Sequence, residues 1–134
     1  MSKKIVAIGG GENGRIDSKG IKRPYEIRVI DEEIIKLSGK VCPNVLFLGH
    51  AQISFLPMYE TRYIDTIKNI YQDLLKCNYK ALTIEELKND FNKAKELVEW
   101  ADIIYEGGGD TPAMIDLWQK TQKRWPSGPR ISDS

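Results

Sequence analysis

The sequence predicts an α/β fold in which a parallel sheet carries helices on both faces. Short apolar runs rich in β-branched residues alternate with longer segments whose apolar residues recur at the helical period. Several of these runs end in glycine, which is typical of strands that turn sharply at their carboxyl ends. No hairpin signal or internal repeat interrupts this order. We therefore expect right-handed crossovers and a ligand site at the carboxyl edge of the sheet.

The composition indicates a single compact domain without a strong overall charge. The chain has 134 residues, of which 41% are hydrophobic and 29% are charged, and its formal net charge is +1. This balance gives no reason to expect nucleic acid or a membrane as partner. The apolar run at 5–8 is too short for a signal peptide, so we expect a cytoplasmic protein. Cys42 and Cys77 lie in no disulfide or metal-ligand pattern, and we predict no metal and no cofactor.

The first predicted strand is at 5–8 and leads into the glycine-rich segment 9–14. This segment matches the dinucleotide-binding motif G-x-G-x-x-G, but that motif must open a helix at once. A polar stretch with Gly20 and Pro24 follows instead. We therefore interpret the glycines as the sharp exit of a strand that flanks a cleft.

The middle of the chain alternates between helices and strands. A short helix follows Asp31, which is the predicted N-cap, and Gly39 ends that helix. The remaining elements follow from apolar periodicity, and they are a strand at 45–48, a helix at 61–76, a strand at 81–84 and a helix at 87–101.

His50, the only histidine of the chain, directly follows the loop glycine after the strand at 45–48. A loop at the carboxyl edge of a sheet is a suitable place for a general base. No serine or cysteine in a nucleophilic context lies near it in the sequence. We therefore favour a loop histidine without a catalytic role.

The segment 100–118, WADIIYEGGGDTPAMIDLW, predicts a strand, a glycine turn and a capped helix. Thr111 is the predicted N-cap, because Pro112 suits the first helical position. A glycine turn before a helix presents backbone N–H groups together with the positive end of the helix dipole. Such a place binds an anion or stabilises a charge that develops during a reaction.

The composition changes near Thr121, where the sequence QKRWPSGPRISDS begins at 122. This stretch has two prolines and no apolar period, so we predict a non-native-looking tail at 122–134. Residues 1–121 are then the amino-terminal part of one domain. A helix that follows the glycine turn should lead into another strand, so we expect the sheet to be truncated.

Two motifs together resemble the peptidase E and cyanophycinase family of serine hydrolases. They are Lys4-Ile-Val-Ala-Ile-Gly-Gly-Gly-Glu and Ala101-Asp-Ile-Ile-Tyr-Glu-Gly-Gly-Gly-Asp-Thr, and the similarity extends to about Lys120. The resemblance implies a flavodoxin-like, class I glutamine amidotransferase-like fold and hydrolysis of small peptides, often next to an acidic residue. The sequence Gly-His-Ala at 49–51 departs from the usual Pro-Thr-Ala of the family, and this difference bears on substrate preference.

The resemblance also assigns roles to residues of the two glycine segments. Backbone N–H groups of the later glycine turn help to form the oxyanion hole of such enzymes. Independently of the resemblance, Asp110 and Glu12 lie beside glycine loops and are expected to accept loop N–H groups rather than to act in catalysis. The candidates are Gly107, Gly108 and Gly109 for the oxyanion hole, and Gly10, Gly11, Asp110 and Thr111 for substrate binding.

The nucleophile of the family is a serine in a Gly-x-Ser-Ala-Gly elbow on the next strand, with its histidine and acidic partners further along. The 134 residues contain no G-x-S-x-G and no histidine after His50. We therefore expect a member cut or frame-shifted near Thr121 that has no peptidase activity as written. The alternatives are a non-catalytic module that binds a phosphate or carboxylate, and a fragment that self-associates through an exposed sheet edge.

Overall fold

The computed structural model describes residues 4–123 as an α/β unit built on three parallel strands. The strands are β1 (Asn44–Leu48), β2 (Asn78–Ala81) and β3 (Ile103–Glu106), in the order β2-β1-β3. The helices are α1 (Arg28–Leu37), α2 (Pro57–Lys68), α3 (Ile84–Asn89), α4 (Phe91–Trp100) and α5 (Thr111–Lys123). A 3-10 helix (His50–Ser54) follows β1, and a π-helix (Asn69–Leu74) extends α2. A parallel sheet with its first strand in the middle is the flavodoxin-like arrangement, which confirms the predicted fold class.

The central strand β1 is covered by helices on both faces. Val45 pairs with Tyr79 of β2 and with Ile103 of β3, and its side chain is fully buried. Alternate residues of a strand point to opposite faces, and two separate cores result. The first core joins Val45 and Phe47 to α2 and its extension through Ile67, Ile70 and Tyr71. The second joins Leu46 and Leu48 to α3, α4 and α5 through Leu87, Ala94, Leu97 and Leu117.

The predicted strand at 5–8 is wrong, because these residues form no strand in the structure. Ile5 is 94% exposed, so the apolar run has no neighbour that would supply the hydrogen bonds of a strand. Residues 12–26 instead form an irregular antiparallel hairpin, which the sequence did not indicate. Its turn is held by Asp17, whose carboxylate accepts the N–H groups of Lys19 and Ile21 at 2.9 Å.

Asp31 is not the N-cap of α1, because the helix begins at Arg28 and Asp31 lies buried in its first turn. Its carboxylate accepts the hydroxyl of Tyr25 at 2.5 Å and that of Tyr71 at 2.8 Å. Burial raises the pKa of Asp31, and the two hydrogen bonds act in the opposite direction. This side chain therefore joins the hairpin, α1 and the extension of α2.

Two further boundaries differ from the sequence prediction because of helix caps. β2 ends at Ala81 rather than beginning there, since Thr83 and Glu86 form a capping box that starts α3. The predicted helix at 87–101 is interrupted at Asp90, which leaves the helical conformation and caps α4 by accepting the N–H of Lys93 at 3.1 Å.

The ends of α2 and α5 also differ from expectation. The helix predicted at 61–76 starts earlier, at Pro57, and changes to π-helical geometry at Asn69. α5 reaches Lys123, so the predicted tail begins inside a helix, and the rest of that tail lies outside the described residues. Within residues 4–123, no helix combines the length and the apolar character needed to cross a membrane.

Tyr71→Phe tests the role of the buried carboxylate, because it removes one of the two donors to Asp31 without changing the shape of the core. We expect the free energy of unfolding to fall by about 1–3 kcal/mol, measured by urea denaturation. Tyr59→Phe is the matched control, since Tyr59 is 42% exposed on α2, and its effect should stay within about 0.5 kcal/mol. Equal effects of the two substitutions would contradict the role given to Asp31.

Candidate functional site

The segments after β1 and β3 meet at the carboxyl edge of the sheet. The Gly107 N–H donates to the Leu48 carbonyl at 3.1 Å, which continues the pairing of β3 with β1. The Asp110 N–H donates to the carbonyl of Ala51 in the 3-10 helix at 2.7 Å. These two bonds place the glycine turn at 107–109 directly against the 3-10 helix.

Gly109 allows this close approach because it has no side chain. Its φ is +148°, a conformation that other residues rarely adopt. A Cβ at this position would lie 2.4 Å from the Ala51 carbonyl oxygen and 2.7 Å from Nε2 of Gln52. Gly108 differs, because a Cβ there would meet no atom within 4 Å.

The three glycine N–H groups are not equivalent. The N–H of Gly107 is used in the pairing with β1, and this residue is buried beneath the ring of Tyr63. The Gly108 N–H donates to the Tyr63 hydroxyl oxygen at 3.2 Å. Within residues 4–123, the exposed Gly109 has no acceptor for its N–H. One backbone donor of the turn is therefore available to a ligand.

Asp110, rather than Thr111, is the N-cap of α5. Its carboxylate accepts the Ser54 hydroxyl at 2.6 Å and the Ala113 N–H at 3.1 Å. These hydrogen bonds, the one from Ser54 foremost, hold the pKa of Asp110 below its ordinary value. Thr111 becomes the first helical residue, because the aspartate one position earlier already reaches the third N–H of the helix. The sequence predicts that Asp110 accepts loop N–H groups, whereas the N–H that its carboxylate accepts belongs to the first turn of α5.

The amino-terminal glycines lie in a different environment. A Cβ on Gly11 would come within 2.5 Å of Ile27, which shows how closely this segment packs before α1. The carboxylate of Glu12 forms ion pairs with Arg15 and Arg23, and within residues 4–123 it accepts no loop N–H, so its predicted role is wrong. In the described part of the chain, no hydrogen bond or ion pair connects 9–14 with 107–111. A substrate-binding role for Gly10 and Gly11 stays a prediction.

His50 is buried and uses both ring nitrogens. Nε2 lies 2.8 Å from the Leu82 carbonyl oxygen, and Nδ1 lies 2.8 Å from the indole nitrogen of Trp118. A carbonyl only accepts and an indole N–H only donates, so the imidazole is neutral with its proton on Nε2. Burial lowers the pKa of His50 to about 4. The histidine joins the ends of β1 and β2 to α5, which agrees with a structural role.

A family model, Peptidase family S51, matches the chain over residues 16–125. The chain belongs to peptidase family S51. The predicted membership of the peptidase E and cyanophycinase family is thereby confirmed, and at the level of the family the chemistry is peptide hydrolysis of the serine type. Comparisons with curated proteins and with solved structures gave no match.

Three polar side chains of this S51 member contact the glycine turn or the aspartate that follows it, but did not emerge from the sequence. They are Gln52, which donates to the Gly108 carbonyl at 2.7 Å, Ser54 and Tyr63. Their only sequence signal is that 52 and 54 follow the carboxyl end of a buried strand.

Within residues 4–123, no cluster of three or more His, Cys, Asp or Glu side chains is arranged to bind a metal ion.

The single histidine permits a direct test of its burial by NMR. We expect its imidazole signals to show a neutral ring protonated on Nε2 and to titrate near pH 4 rather than near 6.5. Between these two pH values the unfolded chain binds a proton that the folded chain does not. The contribution of His50 to stability therefore falls as the pH falls through this window. A midpoint at or above pH 6 would contradict the buried arrangement.

Gly109→Ala and Gly108→Ala form a matched pair that tests the close approach to the 3-10 helix. We expect Gly109→Ala to lower the free energy of unfolding by at least about 1–3 kcal/mol, because it adds backbone strain and a collision with Ala51. Gly108→Ala should cost less than about 1 kcal/mol, since its Cβ points into open space. Thermal and urea unfolding measure both, and equal losses would contradict the described geometry.

Proposed function

We propose that this S51 member belongs to an enzyme that hydrolyses small peptides, with the Gly109 N–H as one donor to the oxyanion. The observation that carries the proposal is that this N–H, alone among those of the three glycines, has no acceptor within residues 4–123. Attack on a peptide carbonyl places negative charge on its oxygen. A preoriented donor to that oxygen is typically worth about 2.7–4 kcal/mol of transition-state stabilisation.

The charge around the turn favours a developing charge over a permanent anion. Asp110 has a lowered pKa and is therefore ionised at neutral pH, at the same helix end whose dipole would attract an anion. Glu106 is the acidic residue on the other side of the turn, and in the described chain neither acid forms an ion pair. A bound phosphate or carboxylate would meet this negative charge throughout, whereas a catalytic donor acts only in the transition state.

The described residues supply the donor but no nucleophile and no base. Ser54 contacts the site, yet its hydroxyl donates to Asp110, and its sequence is not a nucleophile elbow. His50 cannot accept a proton from it, because both imidazole nitrogens are engaged elsewhere. We infer that the attacking serine comes from residues outside these 134, on a strand that would add beside β3. β3 is an edge strand of the described sheet, and Ile104 in it is 51% exposed.

The acidic substrate preference implied by the resemblance is a separate question. The two residues that flank the glycines in the chain, Glu106 and Asp110, are both acidic. An acidic substrate side chain would need a cation from another part of the enzyme. We therefore propose small peptides as substrates and leave the residue beside the cleaved bond to experiment.

The test compares the 134-residue chain with a chain extended through the downstream reading frame. Both are incubated with a panel of aspartyl and neutral dipeptides and with an active-site phosphonate that labels reactive serines. We expect turnover and labelling in the extended chain and neither in the 134-residue chain. Turnover or a labelled serine above blank in the 134-residue chain would contradict the proposal.

Calorimetry with acidic dipeptides and nucleotides distinguishes the alternative function. Binding without turnover in both the short and the extended chain would favour a non-catalytic anion-binding module.

A further inference from the structure

We propose that Gln52 is a positioning residue whose carboxamide fixes the direction of the Gly109 N–H. Its use in catalysis rests on the proposed function. The underlying geometry does not, since it concerns only contacts between the 3-10 helix and the glycine turn.

The peptide group that links Gly108 to Gly109 is held at its carbonyl oxygen. The Gln52 side-chain amide donates to the Gly108 carbonyl oxygen at 2.7 Å. In a trans peptide the C=O and the N–H point in opposite directions, and the described chain has no cis peptide bond. Because the carbonyl points towards Gln52, the Gly109 N–H points away from it, out of the contact between turn and 3-10 helix.

The backbone of Gln52, from which the carboxamide extends, is fixed by two hydrogen bonds of the 3-10 helix. Its N–H donates to the Gly49 carbonyl at 3.1 Å, and its carbonyl accepts the Phe55 N–H at 3.0 Å. The preceding residue, Ala51, binds the Asp110 N–H on the far side of Gly109. Rotation of the peptide between Gly108 and Gly109 would therefore break the Gln52 bond while its neighbours stayed in place.

A turn of three glycines needs such a support more than other turns do. Glycine lacks the Cβ that limits φ and ψ, so a peptide between two glycines can rotate at little steric cost. The peptide before Gly108 is held by the Tyr63 hydroxyl, which accepts its N–H at 3.2 Å. Gln52 supplies the corresponding restraint for the peptide after it. A donor that is already oriented spends no reorganisation energy when the charge develops.

The experiment measures the orientation of the Gly109 N–H in the 134-residue chain by residual dipolar coupling. Gln52→Ala removes the donor. Gln52→Glu keeps the size of the side chain but presents an ionised carboxylate that cannot donate at neutral pH. Gln72→Ala and Gln72→Glu are the matched controls, because in the part of the chain that the structure describes the Gln72 amide hydrogen-bonds only to Asp73, at 3.5 Å.

We expect the residual dipolar coupling of the Gly109 N–H in both Gln52 variants to differ from its wild-type value. The couplings of the Gly107 and Asp110 N–H groups should stay at their wild-type values. Both Gln72 variants should leave all three unchanged. A wild-type Gly109 coupling in Gln52→Ala and Gln52→Glu would overturn the proposal. Loss of the folded state in both Gln52 variants would also overturn it, because Gln52 would then serve folding rather than orientation.

The catalytic consequence is measured in the extended chain. We expect Gln52→Glu to lower kcat by about tenfold or more and to change KM less than about twofold, because an oriented donor acts in the transition state. A change in KM with an unchanged kcat would contradict this use of Gln52. An extended chain without any activity would refute the proposed function and leave the dipolar couplings as the test of the geometry.

Discussion

The contact on which this site depends is the hydrogen bond from the Asp110 N–H to the Ala51 carbonyl, 2.7 Å long. It exists because Gly109 has no Cβ that would otherwise occupy the space of that carbonyl oxygen. The bond brings the start of α5 onto the 3-10 helix that follows the central strand. With the backbones this close, the Gln52 side chain reaches the Gly108 carbonyl and the Ser54 side chain reaches the Asp110 carboxylate. The side-chain contacts of the site therefore depend on this backbone contact.

Two buried polar groups hold the elements around this contact. On one face His50 joins Leu82 and Trp118, and on the other Asp31 joins Tyr25 and Tyr71. An unpaired polar group in a protein interior is costly, so each of these groups restricts how its neighbours can be arranged. The histidine bears directly on the site, since Trp118 belongs to α5 and His50 begins the 3-10 helix. The buried side chains of His50 and Trp118 thus connect the 3-10 helix to α5 beside the site.

The sequence predicted those parts of the structure that depend on local periodicity and backbone chemistry. The apolar runs at β1 and β3, the glycine turn and the helix after it follow from residues that are close in the chain. Residues 5–8 have the same apolar pattern as β1, but a strand also needs a neighbouring edge, and no local pattern reveals whether one exists. The capping residues at 83 and 90 outweighed apolar periodicity and moved helix boundaries, and the cap at 110 replaced the one predicted from Pro112.

The candidate site shows the same division between local and long-range information. That Gly107, Gly108 and Gly109 lie at a strand end could be predicted, but their separate hydrogen-bonding states could not. Those states depend on Leu48 and Tyr63, which are distant in the sequence and come close only through the fold. The contribution of Gln52 was hidden for the same reason, as was the burial of His50.

The glycine turn presents one oriented N–H, that of Gly109, while the N–H groups of Gly107 and Gly108 already have hydrogen-bond acceptors. Amide hydrogen exchange of the wild-type chain tests this claim most directly, residue by residue. We expect protection of the amides of Gly107, Gly108 and Asp110, and exchange at close to the unprotected rate at Gly109. Protection of the Gly109 amide equal to that of its neighbours would contradict the claim.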